Sequence, residues 1–138
     1  MRYLKKILKD FIVYIAGALA YMGIEILFRG YTYMLMGLVG GLAFLLIGQI
    51  NTKRNIGLIW QGIAGSAIVT FLELFVGYAL ISNGVRMWDY SGQWLNYKGL
   101  ICPLFSLFWF LLSIAAAVMD DTLRHVLFKE PKRKYTWV

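Results

Sequence analysis

Four uninterrupted apolar runs, Phe11–Phe28, Tyr33–Ile50, Leu58–Ser82 and Leu100–Met119, take up most of this 138-residue sequence, and each holds 18 to 25 residues. A bilayer core of about 30 Å is crossed by roughly 17–25 helical residues. Lipid offers no partner to backbone N–H and C=O, so only helices and closed barrels cross it. Barrel strands alternate polar and apolar residues over about ten positions, and these runs do not alternate. The fold class expected is therefore an all-α integral membrane protein with four transmembrane helices, forming one domain over residues 1–138. Composition agrees, with 60% hydrophobic and 15% charged residues, against roughly 45–50% and about 25% in soluble domains. That balance excludes a soluble globular enzyme, and the wealth of apolar and aromatic residues excludes a disordered chain.

The connections predict how the helices lie. Residues 30–32 and 51–57 are short links, residues 83–99 form the one long loop, and residues 120–138 read as an amphipathic basic tail. An even number of spans puts both termini on one side. That side carries Arg2, Lys5, Lys6, Lys9, Lys53, Arg54, Arg124, Lys129, Lys132, Arg133 and Lys134, against Arg29, Arg86 and Lys98 on the other. Basic residues are retained on the cytoplasmic side, so both termini are expected in the cytoplasm of a multi-pass cell-membrane protein. The net charge of +7 then belongs to topology and to anionic lipid head groups, and no nucleic-acid partner is expected. Ala18-Leu19-Ala20 resembles a signal-peptide cleavage site, but the apolar run continues to Phe28, so retention is expected.

Ionisable groups inside spans mark functional sites by default. Glu25 and Arg29 share a helix face at i, i+4 spacing. In the third run Ser66, Thr70, Glu73 and Gly77 form one polar stripe. The long loop holds Arg86, Trp88, Asp89, Tyr90, Ser91, Trp94, Asn96 and Tyr97, and its aromatics suit head-group depth. Folded back over the bundle, it would set Arg86 and Asp89 above Glu25 and Glu73. Glu25, Arg29, Glu73, Arg86 and Asp89 are thus the candidate substrate- or ion-binding residues. The competing expectation is structural, with Glu73 paired to Arg86 or Arg29 and only fixing helix register. Trp109, in mid-span, is expected against a neighbouring helix. Small-xxx-small pairs such as Gly37/Gly41, Gly62/Ser66 and Ser113/Ala117 predict close helix approach. In the tail, Asp120 or Asp121 is expected to cap a short interfacial helix reaching Phe128, followed by the basic cluster Lys132-Arg133-Lys134.

Catalytic machinery is not legible. Cys102 is the single cysteine and His125 the single histidine, so no disulfide, zinc site or Ser–His–Asp triad is expected. There is no phosphate-binding G-x-x-x-x-G-K-[ST] segment. The expectation is a non-enzyme without metal or cofactor. A lipid-processing enzyme would need a lateral opening beside the carboxylates.

Glu25-Ile26-Leu27-Phe28-Arg29-Gly30-Tyr31, Gly40-Gly41 and Ile47-Gly48-Gln49-Ile50-Asn51 resemble a bacterial membrane family, the type IV ABC-transporter permeases (CmpB-like). The resemblance is most specific in Trp88-Asp89-Tyr90-Ser91, Asn96, Gly99, Ile101-Cys102 and Phe105-Ser106-Leu107, and continues in Asp120-Asp121 with Leu123-Arg124. It departs at Trp94, where the family often has Pro, and at Leu100, where it often has a polar residue. The resemblance implies a small membrane transport or channel component. Residues 51–57 are a short internal cytoplasmic link for coupling to an ATPase, and four helices make a thin permease alone, so a transporter of this kind is expected to be a homo-oligomer or to work with a separate partner such as an ATPase. The alternative is a non-transporting structural or interaction protein whose charges only hold the outer loop.

Overall fold

The computed structural model describes residues 2–53, 56–131 and 135–137. Arg54 and the basic cluster Lys132-Arg133-Lys134 lie outside the described residues. Among those described, the chain forms four α-helices, α1 (Arg2–Arg29), α2 (Met34–Lys53), α3 (Leu58–Ser82) and α4 (Pro103–Phe128), and no strand. All four are long and apolar enough to cross a membrane. Their outward faces agree: Leu19, Phe71, Phe75 and Leu111 are exposed. A row of bare apolar side chains of this kind is stable only against lipid or protein.

The helices exceed the apolar runs. α1 begins at Arg2, because Lys5, Lys6 and Lys9 are good helix formers and nothing before Phe11 breaks the helix. α4 starts at Pro103, a residue suited to a first helical turn, and continues without a break through Asp120, Asp121 and Arg124. The expected separate tail helix is therefore the last part of α4. Neither aspartate caps it; both are buried inside the fold.

α1 and α2 form one antiparallel hairpin, α3 and α4 another. α2 also packs on α3 and α4, while α1 scarcely meets α4. Small residues make these seams tight. A Cβ on Gly41 would lie 2.8 Å from the Tyr14 carbonyl oxygen, so only glycine lets α1 and α2 approach this closely. Across the other hairpin, Ser66 donates to the Ser106 carbonyl at 2.7 Å and Thr70 meets the Ser106 hydroxyl at 2.9 Å. The polar stripe of α3 therefore faces α4.

The start of α1, the end of α4 and residues 135–137 lie at one end of the bundle, here called the terminus end; the 83–102 connection covers the other, the loop end. The N-cap of α3 is Gly57, without a side-chain cap. Its first amides are satisfied from outside: Leu58 N–H donates to the Thr136 carbonyl (2.8 Å) and Ile59 N–H to the Trp137 carbonyl (3.0 Å). α4 ends at Lys129, held left-handed at φ 58° with its N–H on the Arg124 carbonyl. That conformation costs a residue with a Cβ about 1 kcal/mol. Lys129→Gly is expected to raise stability by about that amount, read as a small rise in the thermal midpoint in detergent.

Candidate functional site

Glu73 lies nine residues before the end of α3, about 14 Å of helix below the loop end. It is 6% exposed. Its Oε2 accepts a hydrogen bond from the Tyr90 hydroxyl at 2.6 Å, and its Oε1 accepts one from Trp109 Nε1 at 2.7 Å. Among the described residues no cation forms an ion pair with it. The expected Glu73 pairing with Arg86 or Arg29 is thus overturned. Arg29 pairs with Glu25 one helical turn away and donates to the Met87 carbonyl at 3.3 Å. Thr32 donates to the other Glu25 oxygen at 3.3 Å. Arg86 pairs with Asp89 at 3.5 Å and donates to the Lys98 carbonyl at 3.3 Å. These pairs are close in sequence and form near the loop end, whereas Glu73 sits deeper and is met by neutral donors. The five candidate charges are two separate pairs and one solitary carboxylate.

The loop does fold over the bundle, through its aromatics. Trp88 is buried, and its Nε1 donates to the Leu100 carbonyl at 2.9 Å. Tyr90 stacks on Phe105 with ring centres 4.3 Å apart and planes at 11°, which aims its hydroxyl down at Glu73. Burial, and then the neighbouring Glu73 charge, push the Tyr90 phenol well above its ordinary range, so it keeps the proton it donates. Asp89, Ser91 and Asn96 build the loop itself. Ser91 N–H donates to Asp89 Oδ1 at 2.9 Å, and this bond, with Arg86 adding to it, holds the Asp89 carboxyl below the usual range. Asn96 Oδ1 accepts the Gly99 N–H at 3.0 Å, while its Nδ2 donates to the Ser91 carbonyl at 3.1 Å.

Beside Glu73, the loose α1–α4 seam encloses a cavity of about 160 Å³. α2 forms its floor with Gly40, Ala43, Phe44 and Ile47. Tyr21, Trp88 and Trp109 line it together with Glu73. Tyr21 and Trp109 bridge the seam with ring centres 6.0 Å apart, so Trp109 does meet a neighbouring helix. Leu112 and Ala115 on the α4 wall are exposed, and the cavity therefore opens sideways along the seam.

A second polar cluster, unforeseen in the sequence, lies at the terminus end. Asp120 is 0% exposed, Asn51 1% and Arg124 9%. Arg124 Nε donates to Asp120 Oδ1 at 3.1 Å, and its Nη2 and Nη1 stand 3.8 Å from Asp10 and 3.9 Å from Glu130. Asn51 Nδ2 donates to Asp121 Oδ1 at 2.6 Å and to the Ala117 carbonyl at 3.2 Å. A Cβ on Gly48 would fall 2.5 Å from Asp120 Oδ1, so α2 offers its backbone to make room for that carboxylate. The sequence signal for it was that Gly48, Asn51, Asp120, Asp121 and Arg124 fall within the family resemblance. Among the described residues, no group of His, Cys, Asp and Glu is arranged to hold a metal ion.

The family model that matches this chain, described as "Putative ABC-transporter type IV", covers residues 11–138. No curated protein and no solved structure matches it. The chain belongs to this ABC-transporter type IV family and is a multi-pass membrane protein.

Proposed function

We propose that this family member is a small transport component whose working part is the α1–α4 cleft, with Glu73 as its charge-binding group. The observation that carries the reading is a buried carboxylate in a membrane helix, lining a cavity and lacking any ion-pair partner among the described residues. Such a group is expensive to keep in lipid unless something uses it. On this reading the terminus end, flanked by basic residues, is the cytoplasmic one, as the positive-inside rule favours, and the loop end lies outside. A bundle of four helices gives a narrow path, so the protein works as a homo-oligomer or beside a separate partner such as an ATPase. Glu73 and Tyr21 are the only titratable groups among the cavity-lining residues, which fits ligand binding better than hydrolysis of lipid.

Proteoliposomes with trapped pyranine and an imposed pH gradient test this. Wild-type protein is expected to carry protons well above the leak of empty vesicles, and Glu73→Gln to fall at least tenfold toward that leak while remaining folded. Equal flux in the two proteins rejects the reading.

A structural role is the second reading. Glu73 joins α3 to the loop through Tyr90 and to α4 through Trp109. On that reading Glu73→Gln lowers the thermal midpoint and changes no flux.

A further inference from the structure

The cavity wall beside Glu73 is aromatic on three sides, with Tyr21 from α1, Trp88 from the loop and Trp109 from α4. A carboxylate has two oxygens and about four acceptor positions, and here the Tyr90 and Trp109 donors fill two of them. Both donors are neutral. The cations of the loop end are engaged elsewhere: Arg29 on Glu25, Arg86 on Asp89, and Lys98 over the Tyr78 and Tyr97 rings at 5.3 and 5.6 Å. A buried anion without a counter-ion is costly in a medium of low dielectric, and aromatic faces attract cations, most strongly when water is excluded. Apart from Ser113 the rest of the lining is apolar, and about 160 Å³ is close to the volume that accepts one benzene ring in an engineered protein cavity, about 150 Å³.

We propose that the α1–α4 cleft binds a small organic ammonium ion, its charged nitrogen against Glu73 and the Tyr21–Trp109 rings and its apolar body along the α2 floor. This rests on the reading of the cleft as the working site and adds the chemical class of what enters. The sideways opening at Leu112 and Ala115 gives an amphiphilic amine a route from the lipid phase, where such molecules concentrate.

Equilibrium dialysis of radiolabelled benzylamine against the full chain in nanodiscs of neutral lipid, with empty discs subtracted, tests the proposal. Benzyl alcohol has the same shape and no charge. Saturable benzylammonium binding is expected, with benzyl alcohol competing at least tenfold more weakly. Glu73→Gln is expected to weaken binding at least tenfold. Ala116→Leu, which fills the cavity without touching the carboxylate, should do the same and guards against a folding defect in the first variant. Equal competition by benzyl alcohol, unchanged binding by Glu73→Gln, or no saturable binding at all overturns the proposal. Proton flux in proteoliposomes separates the two claims. Flux without benzylammonium binding removes the ligand class and leaves transport standing, whereas binding without flux of either species does the reverse.

Discussion

Replacing Arg124 by Met will destabilise the protein by about 3–5 kcal/mol, the usual cost of stripping one partner from a buried ion pair. Arg124 is the shared cation for Asp120 at 3.1 Å, Asp10 at 3.8 Å and Glu130 at 3.9 Å. Without it Asp120, wholly buried, is left with a long 3.4 Å hydrogen bond donated by Asn51 Nδ2. Three segments then lose a common anchor: the start of α1, the end of α4 and the turn beyond it. Double substitution separates charge imbalance from lost packing. Arg124→Met combined with Asp120→Asn removes both charges, and such neutral replacements are often close to harmless. Recovery of at least half the loss is expected. Thermal unfolding in detergent, followed by intrinsic fluorescence, measures both. A single-variant loss under about 1 kcal/mol, the range of exposed pairs, would mean that water reaches this cluster.

Trp88→Ala is the second large effect. The indole is buried and lies over Gly77, and its N–H closes on the Leu100 carbonyl at 2.9 Å. Truncating a buried aromatic costs about 3–5 kcal/mol. The damage has a local reading too, because Trp88 seats the loop two residues from Tyr90. With that seat gone, the Tyr90 hydroxyl no longer stays on Glu73. Arg86 and Lys98 are exposed in the loop, so trypsin is expected to cut there much faster in Trp88→Ala than in wild type. Trp88→Phe keeps a ring and loses the N–H bond, worth about 1 kcal/mol, and should resist trypsin nearly as wild type does. Equal cleavage rates for the Ala variant and wild type would show that the loop is held by something else.

What could be read beforehand follows sequence distance. Helix count and membrane character are visible because each span is a contiguous apolar run. Glu25 with Arg29 and Arg86 with Asp89 are visible because helix and turn geometry join residues three and four apart. Glu73 is visible as an oddity, but its partners Tyr90 and Trp109 lie 17 and 36 residues away, and no local rule picks them. The stripe Ser66, Thr70, Glu73 and Gly77 indicates a face without naming the helix opposite. Asp120, Asp121 and Arg124 read from the sequence as the start of an amphipathic interfacial tail for a physical reason. Charges at the end of an apolar run usually mark where water begins. Here α2 supplies Asn51, 70 residues from Asp121, and a bare backbone at Gly48, so Asp120 and Asp121 each find a hydrogen-bond donor inside the fold.

The segment at residues 135–137 serves α3 as a borrowed cap, since Gly57 has no side chain to lend. Whatever tugs on that segment, whether a fused purification handle or a docking subunit, uncovers two amides at the base of α3. Loss of those two bonds leaves the first turn of α3 free to fray, so the grip of residues 135–137 sets how firmly the base of that helix is held.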